Sequence, residues 1–181
     1  MLKQALRMLA EDSRYLYHVT FLKDLDSIIS GGLGFGGRGG DFYADRSQDK
    51  LFFTELDGVS YWMSKLEDRA NAETDHPEEG WVPVVLRIDD IYFWNDVDLQ
   101  EDELGSKDSL STAVYVEPTE YFTKIDAPEL EIWDGDSWVP LDRVDTDKLL
   151  QKALAAAATD SDDGEEWYEM DYDVFAPKDD I

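Results

Sequence analysis

The chain has 181 residues, 43 of them acidic and 16 basic, with a formal net charge of −27, six tryptophans and no cysteine. Its length suits one domain with a real core, and 13% aromatic content argues against wholesale disorder. Disulfide and thiolate chemistry are excluded, no apolar run has membrane-spanning length, and phosphate backbones are disfavoured, because binding them requires Lys and Arg to replace counterions.

Near the start, Lys3, Gln4 and Arg7 interrupt any apolar core of a secretory signal, so the expected location is cytoplasmic. Leu2, Ala5, Leu6, Met8 and Leu9 give residues 2–12 the pattern of a short amphipathic helix. The central stretch is residues 16–40. In Leu16-Tyr17-His18-Val19-Thr20 the alternation predicts a strand with Tyr17 and Val19 on one face and Leu16, His18 and Thr20 on the other. Leu22, Leu25, Ile28 and Ile29 then recur at helical spacing, and Gly31-Gly32 supplies a stop. Seven of the ten residues from Gly31 to Gly40 are glycine, a loop open to close approach by a ligand.

Residues 41–50 read as polar and irregular. A second strand is predicted over 50–54, followed by a helix over 57–70 with Val59, Trp62, Met63 and Leu66 inward and Tyr61 beside them. The most apolar strand is Trp81 to Ile88, with Pro83 expected near its end. Residues 91–94 form a short strand or turn, and 95–108 read as an acidic loop. Further strands are predicted over 112–116 and 121–125 around Glu117-Pro118-Thr119-Glu120, and a hairpin at Asp134-Gly135 joins 130–133 to 138–141. Helix formers fill 149–158. The domain is therefore placed at 1–158. Residues 159–181 form an acidic tail with ten acids, one lysine and interspersed aromatics.

Metal chemistry has little support, since His18 and His76 lack paired spacing and no calcium-loop pattern occurs. The glycine loop lacks a P-loop ending and follows a helix, so it is no nucleotide fingerprint. No GxSxG marks a serine nucleophile.

Tyr17-His18-Val19-Thr20, then Leu25, Ile28-Ile29 and Gly31-Gly32-Leu33, resembles the NAD-binding opening of the ADP-ribosyltransferase superfamily, as in DarT-like DNA ADP-ribosyltransferases and KptA-like RNA 2′-phosphotransferases. Leu51-Phe52-Phe53-Thr54 with the helix bearing Tyr61 resembles the second element of that fold. Thr119-Glu120 through Leu130 resembles its late strand with a catalytic glutamate. Together these cover roughly residues 15–133. The resemblance implies an α+β fold with a split, mainly antiparallel β core, flanking helices and a cleft that takes NAD as substrate. His18 would bond the ribose next to nicotinamide, Thr20 would help fix the adenosine side, and Tyr61 would stack on nicotinamide. Thr54 and Gly32 fall within the matching NAD-binding elements. Glu120 would hold the ribose 2′-hydroxyl while the glycosidic bond breaks.

The chemistry is sound in itself. Departing nicotinamide leaves an oxocarbenium-like sugar, for which a fixed carboxylate is worth most at the transition state. Phosphates need donors, which glycine-loop amides with Arg38 or Arg46 would supply. Alternatives stay open beside each role: His18 as a satisfied half-buried residue, Tyr61 as core, and Glu117 as the functional acid. There is no arginine cluster of the 2′-phosphotransferase type. Pro118 stands where arginine-directed transfer often uses a carboxylate. The expected activity is mono-ADP-ribosyl transfer to a macromolecule, a basic protein rather than nucleic acid on charge grounds, with no membrane partner. The alternative is a non-enzymatic acidic binder or charge mimic that inhibits a basic, nucleic-acid-binding protein.

Overall fold

The computed structural model describes residues 15–34, 50–73, 79–93 and 98–160, with backbone alone for 73 and 156–160. The expected helix over 2–12, the irregular stretch 41–49, the His76 loop and the tail from 161 lie outside the described residues. The fold is mixed α+β with a mostly antiparallel sheet and a few helices.

The predicted first strand is β1, Tyr15–Phe21, and it is the fourth of seven strands in the main sheet. Its alternation holds. Leu16 joins the larger core cluster, and Tyr17 joins a second cluster on the opposite face. A short turn, Leu22–Asp24, leads into α1, Leu25–Gly31, which lays Leu25 and Ile28 on the larger core. Gly32 ends α1 with φ +87° and its N–H donating to the Ile28 carbonyl. A side chain there would press on the Ile125 carbonyl at 2.9 Å, so both conformation and space call for glycine.

Strand β2 (Leu33–Gly34) leaves the main sheet to pair with β7 (Lys124–Ile125) in a separate two-stranded ribbon. In the main sheet, β3 (Leu51–Thr54) flanks β1 on one side and β4 (Pro83–Asp89) on the other. Pro83 is the first residue of β4, where a missing N–H does least harm to the ladder. Beyond β3 lie β6 (Ala113–Val116) and the edge strand β5 (Gln100–Glu101). Beyond β4 come β8 (Glu131–Trp133) and β9 (Trp138–Pro140), the expected hairpin. Every described strand pair is antiparallel.

Helix α2, Val59–Glu73, covers the Tyr17 face with Val59 and Met63. On that same face the Arg87 guanidinium lies 4.0 Å from the Tyr15 ring and 4.4 Å from Trp138, and its Nε donates to Glu131 at 2.7 Å. One side chain thereby stitches β1, β4, β8 and β9. The other face carries the larger core, where Leu25, Leu86, Ile125, Leu130, Ile132 and Leu141 are fully buried.

Two expectations need correction. The stretch 95–108 is no simple loop, since β5 and α3 (Glu103–Ser109) form within it. The strand expected over 121–125 shrinks to Lys124–Ile125, because Thr119 Oγ1 accepts the Tyr121 and Phe122 amides and folds that stretch into a turn.

Helix α4, Thr146–Asp160, runs two residues past the expected domain end. Thr146 Oγ1 donates to Asp26 at 2.9 Å and Lys152 Nζ to the Asp134 carbonyl at 2.8 Å, which anchors the helix to α1 and to the β8–β9 hairpin. The buried hydrophobic residues described all fall between Leu16 and Leu141. On composition, with ten acids and one lysine over 159–181, truncation after Asp160 is expected to move the thermal midpoint by no more than about 2 °C in a melting scan. Loss of cooperative melting in that variant would show Trp167 or Phe175 to be part of the core.

Candidate functional site

The central strand of the sheet carries a histidine. His18, on β1, is half-buried, with its Nδ1 2.9 Å from the Phe52 carbonyl oxygen of β3 and its ring edge-on to Phe53, centroids 5.9 Å apart. A carbonyl only accepts, so Nδ1 carries the proton. Burial pushes the His18 pKa below the usual histidine value and outweighs the opposing pull of the Phe52 carbonyl and the Asp24 carboxylate. The ring is therefore neutral at physiological pH, and Nε2 is left as an acceptor with no hydrogen bond among the described residues. Its natural partner is a hydroxyl.

Thr20, two residues on, shares the His18 face and is also half-buried. Residues i and i+2 on a strand stand about 7 Å apart, a spacing that lets one elongated polar ligand reach both. Asp24 is the neighbour that sequence reasoning passed over. It reads as a carboxylate near a helix start, yet its field reaches His18.

Glu120 sits on the turn between β6 and β7 and is exposed. That turn is pinned: the Thr119 N–H donates to the Phe122 carbonyl at 2.9 Å, the Phe122 N–H donates back to Thr119 Oγ1 at 3.0 Å, and the Phe122 ring is buried in the larger core. The β2–β7 ribbon sets Gly34 opposite Lys124, which brings the start of the glycine segment next to the strand that follows Glu120. Glu117, the rival acid, is also exposed, and Lys50 lies 3.7 Å from its carboxylate.

The remaining candidates are placed differently. Thr54 pairs with Tyr17 and so belongs to the sheet face opposite His18; it is buried, and its hydroxyl donates to the Thr112 carbonyl at 3.2 Å. Tyr61 rides on α2, which covers that opposite face, and its half-buried ring lies edge-on to Trp62 with centroids 5.0 Å apart. The Gly32 amide is taken up by the Ile28 carbonyl. Arg38 and Arg46 lie outside the described residues. The structure thus gathers His18, Thr20 and the ribbon on one face, and sets Thr54 and α2 on the other.

Comparison of the chain with protein-family models, with curated proteins and with solved structures finds no match. Among the described residues no group of three or more acidic or histidine side chains is placed to hold a metal, and no helix is long and apolar enough to cross a membrane.

Proposed function

We propose that the chain is an NAD-dependent mono-ADP-ribosyltransferase with an ADP-ribosyltransferase-like split core, and that it modifies a macromolecule, a basic protein in preference to nucleic acid. The observation that supports this reading is the neutral His18, held at Nδ1 by the Phe52 carbonyl with Nε2 left to accept a hydroxyl. In the transfer, the bond between the nicotinamide nitrogen and ribose C1′ breaks, and nicotinamide leaves with the electron pair. A nucleophile of the target bonds to C1′ and loses its proton.

His18 Nε2 accepts a ribose hydroxyl, Thr20 adds a second polar contact, and the Glu120 carboxylate opposes the positive charge that develops on the sugar. Tyr61 lies on α2, across the sheet from His18, and so has no place at that ribose, while Arg38 and Arg46 are the candidates for the phosphates. Thr54 and Gly32 serve the frame, since their polar groups are already bonded.

The test is calorimetric titration with NAD. His18→Ala is expected to weaken binding by about 1–3 kcal/mol, the cost of leaving a hydrogen-bonding group unmatched, with folding retained. Absence of NAD affinity at about millimolar concentration in the native protein, where weak binding is still measurable, overturns the reading. The net charge of −27 then favours a non-enzymatic acidic binder that occupies a basic, nucleic-acid-binding protein.

A further inference from the structure

We propose that Ile91, Tyr92 and Tyr121 form a docking surface beside Glu120 for a basic polypeptide, whose apolar side chain lies on the rings with a lysine or arginine against the flanking carboxylates. The inference rests on the transferase reading only for that polypeptide being the acceptor, and it is tested without NAD.

Tyr121 follows Glu120 on the turn between β6 and β7, and it is 89% exposed. An unrestrained loop would explain such exposure, but this turn is held. The Tyr121 N–H donates to Thr119 Oγ1 at 3.3 Å, and the neighbouring Phe122 ring is buried in the larger core. Half-buried Tyr92 sits on the turn Asp90–Phe93 that follows β4, with its ring centroid 6.2 Å from that of Phe122. Ile91 beside it is 54% exposed, and its N–H donates to the Asp89 carboxylate at 3.2 Å, which holds the second turn. Four large hydrophobic side chains are exposed among the described residues, and two of them belong to the turns that the Tyr92–Phe122 contact joins. One exposed apolar side chain is ordinary, whereas two on joined and rigid turns make a patch that a partner can cover at little entropic cost.

Charge decides the kind of partner. The Glu129 and Asp126 carboxylates lie close enough to Tyr92 to join burial, the larger cause, in pushing its hydroxyl above the usual tyrosine pKa. Asp126 is answered by Lys124 at 2.9 Å, but Glu120 and Glu129 are exposed and join no ion pair among the described residues. No described lysine or arginine lies over the Tyr92 or Tyr121 ring. Acids alone would be a solvated surface. Unoccupied aromatic rings beside unpaired carboxylates fit a cationic segment with an apolar anchor, and the same charge repels a phosphate backbone.

The probe is a fluorescent peptide of repeating lysine, leucine and glycine, followed by anisotropy at about 150 mM salt, where diffuse attraction is screened. It is compared with one peptide carrying serine for leucine and another carrying acetyl-lysine for lysine. The parent peptide is expected to bind roughly fivefold tighter or more than either, since each lacks one half of the match. Tyr121→Ser should weaken the parent peptide roughly fivefold or more, as loss of an aromatic anchor does. Leu110→Ser is the matched control: Leu110 is 91% exposed at the opposite end of β6, and its loss should change affinity less than about twofold. Equal binding of the leucine and serine peptides would show diffuse charge attraction and overturn the surface. Equal binding of the acetylated peptide, or equal losses in Tyr121→Ser and Leu110→Ser, would show unselective apolar contact and overturn it too. Because NAD is absent, failure here leaves the His18 reading standing, and failure of NAD binding leaves this one.

Discussion

Gly58→Ala is expected to destabilise the fold by about 2–4 kcal/mol, a loss visible as a drop of roughly 5–15 °C in the melting midpoint. Gly58 closes the turn Leu56–Gly58 between β3 and α2 and is buried. A methyl group there would collide with the Thr54 hydroxyl and meet both Thr54 Cβ and Ser111 Cβ at 3.2 Å. Thr54 has no cheap escape. It is 2% exposed, β-branched, and bonded through Oγ1 to the Thr112 carbonyl, so turning the side chain leaves the buried Thr54 hydroxyl without that acceptor. Gly31→Ala is the matched control. A methyl at Gly31, the last residue of α1, meets nothing within 4 Å, and the substitution should be neutral or stabilise by up to about 1 kcal/mol. Equal melting of the two variants would mean that the Thr54 packing is wrongly placed, and Thr54 would return to the list of groups open to a ligand.

What was legible in the sequence were the local patterns. The alternation of Leu16 to Thr20 put His18 on the correct face of β1, Gly31-Gly32 marked the end of α1, and Pro83 marked the start of β4. The hairpin was visible because Asp134 binds its own turn, accepting the Asp136 and Ser137 amides at 2.9 Å each. Long-range partners stayed hidden. No local pattern shows that the Phe52 carbonyl, 34 residues away, fixes the His18 tautomer, or that Thr112, 58 residues from Thr54, takes the Thr54 hydroxyl. Helix α3 was missed for a related reason. Its Gly105 and serines are poor helix formers, and a tertiary bond from the Ala113 amide to Ser106 Oγ at 2.8 Å helps hold it. The shortened β7 has its cause in Thr119, a residue whose side chain competes with the ladder for backbone donors.

Glu120→Gln is expected to cut NAD turnover by about 10²-fold or more while leaving NAD affinity within a few-fold of the native protein. The carboxylate is exposed on a turn that Thr119 and Phe122 hold in shape, and it forms no ion pair among the described residues, so its charge is available to a ligand. Glutamine keeps the size and one acceptor oxygen but loses the charge. A group that opposes positive charge on the sugar acts on the transition state more than on bound NAD, so rate should fall where affinity does not. Glu117→Gln should do much less, because Lys50 already lies beside that carboxylate. Single-turnover rates and calorimetric affinities for both variants separate the possibilities. Full activity in Glu120→Gln with loss in Glu117→Gln would exchange the two roles. Full activity in both, in a protein that consumes NAD, would remove the turn between β6 and β7 from the chemistry and leave His18 as the surviving anchor of the site.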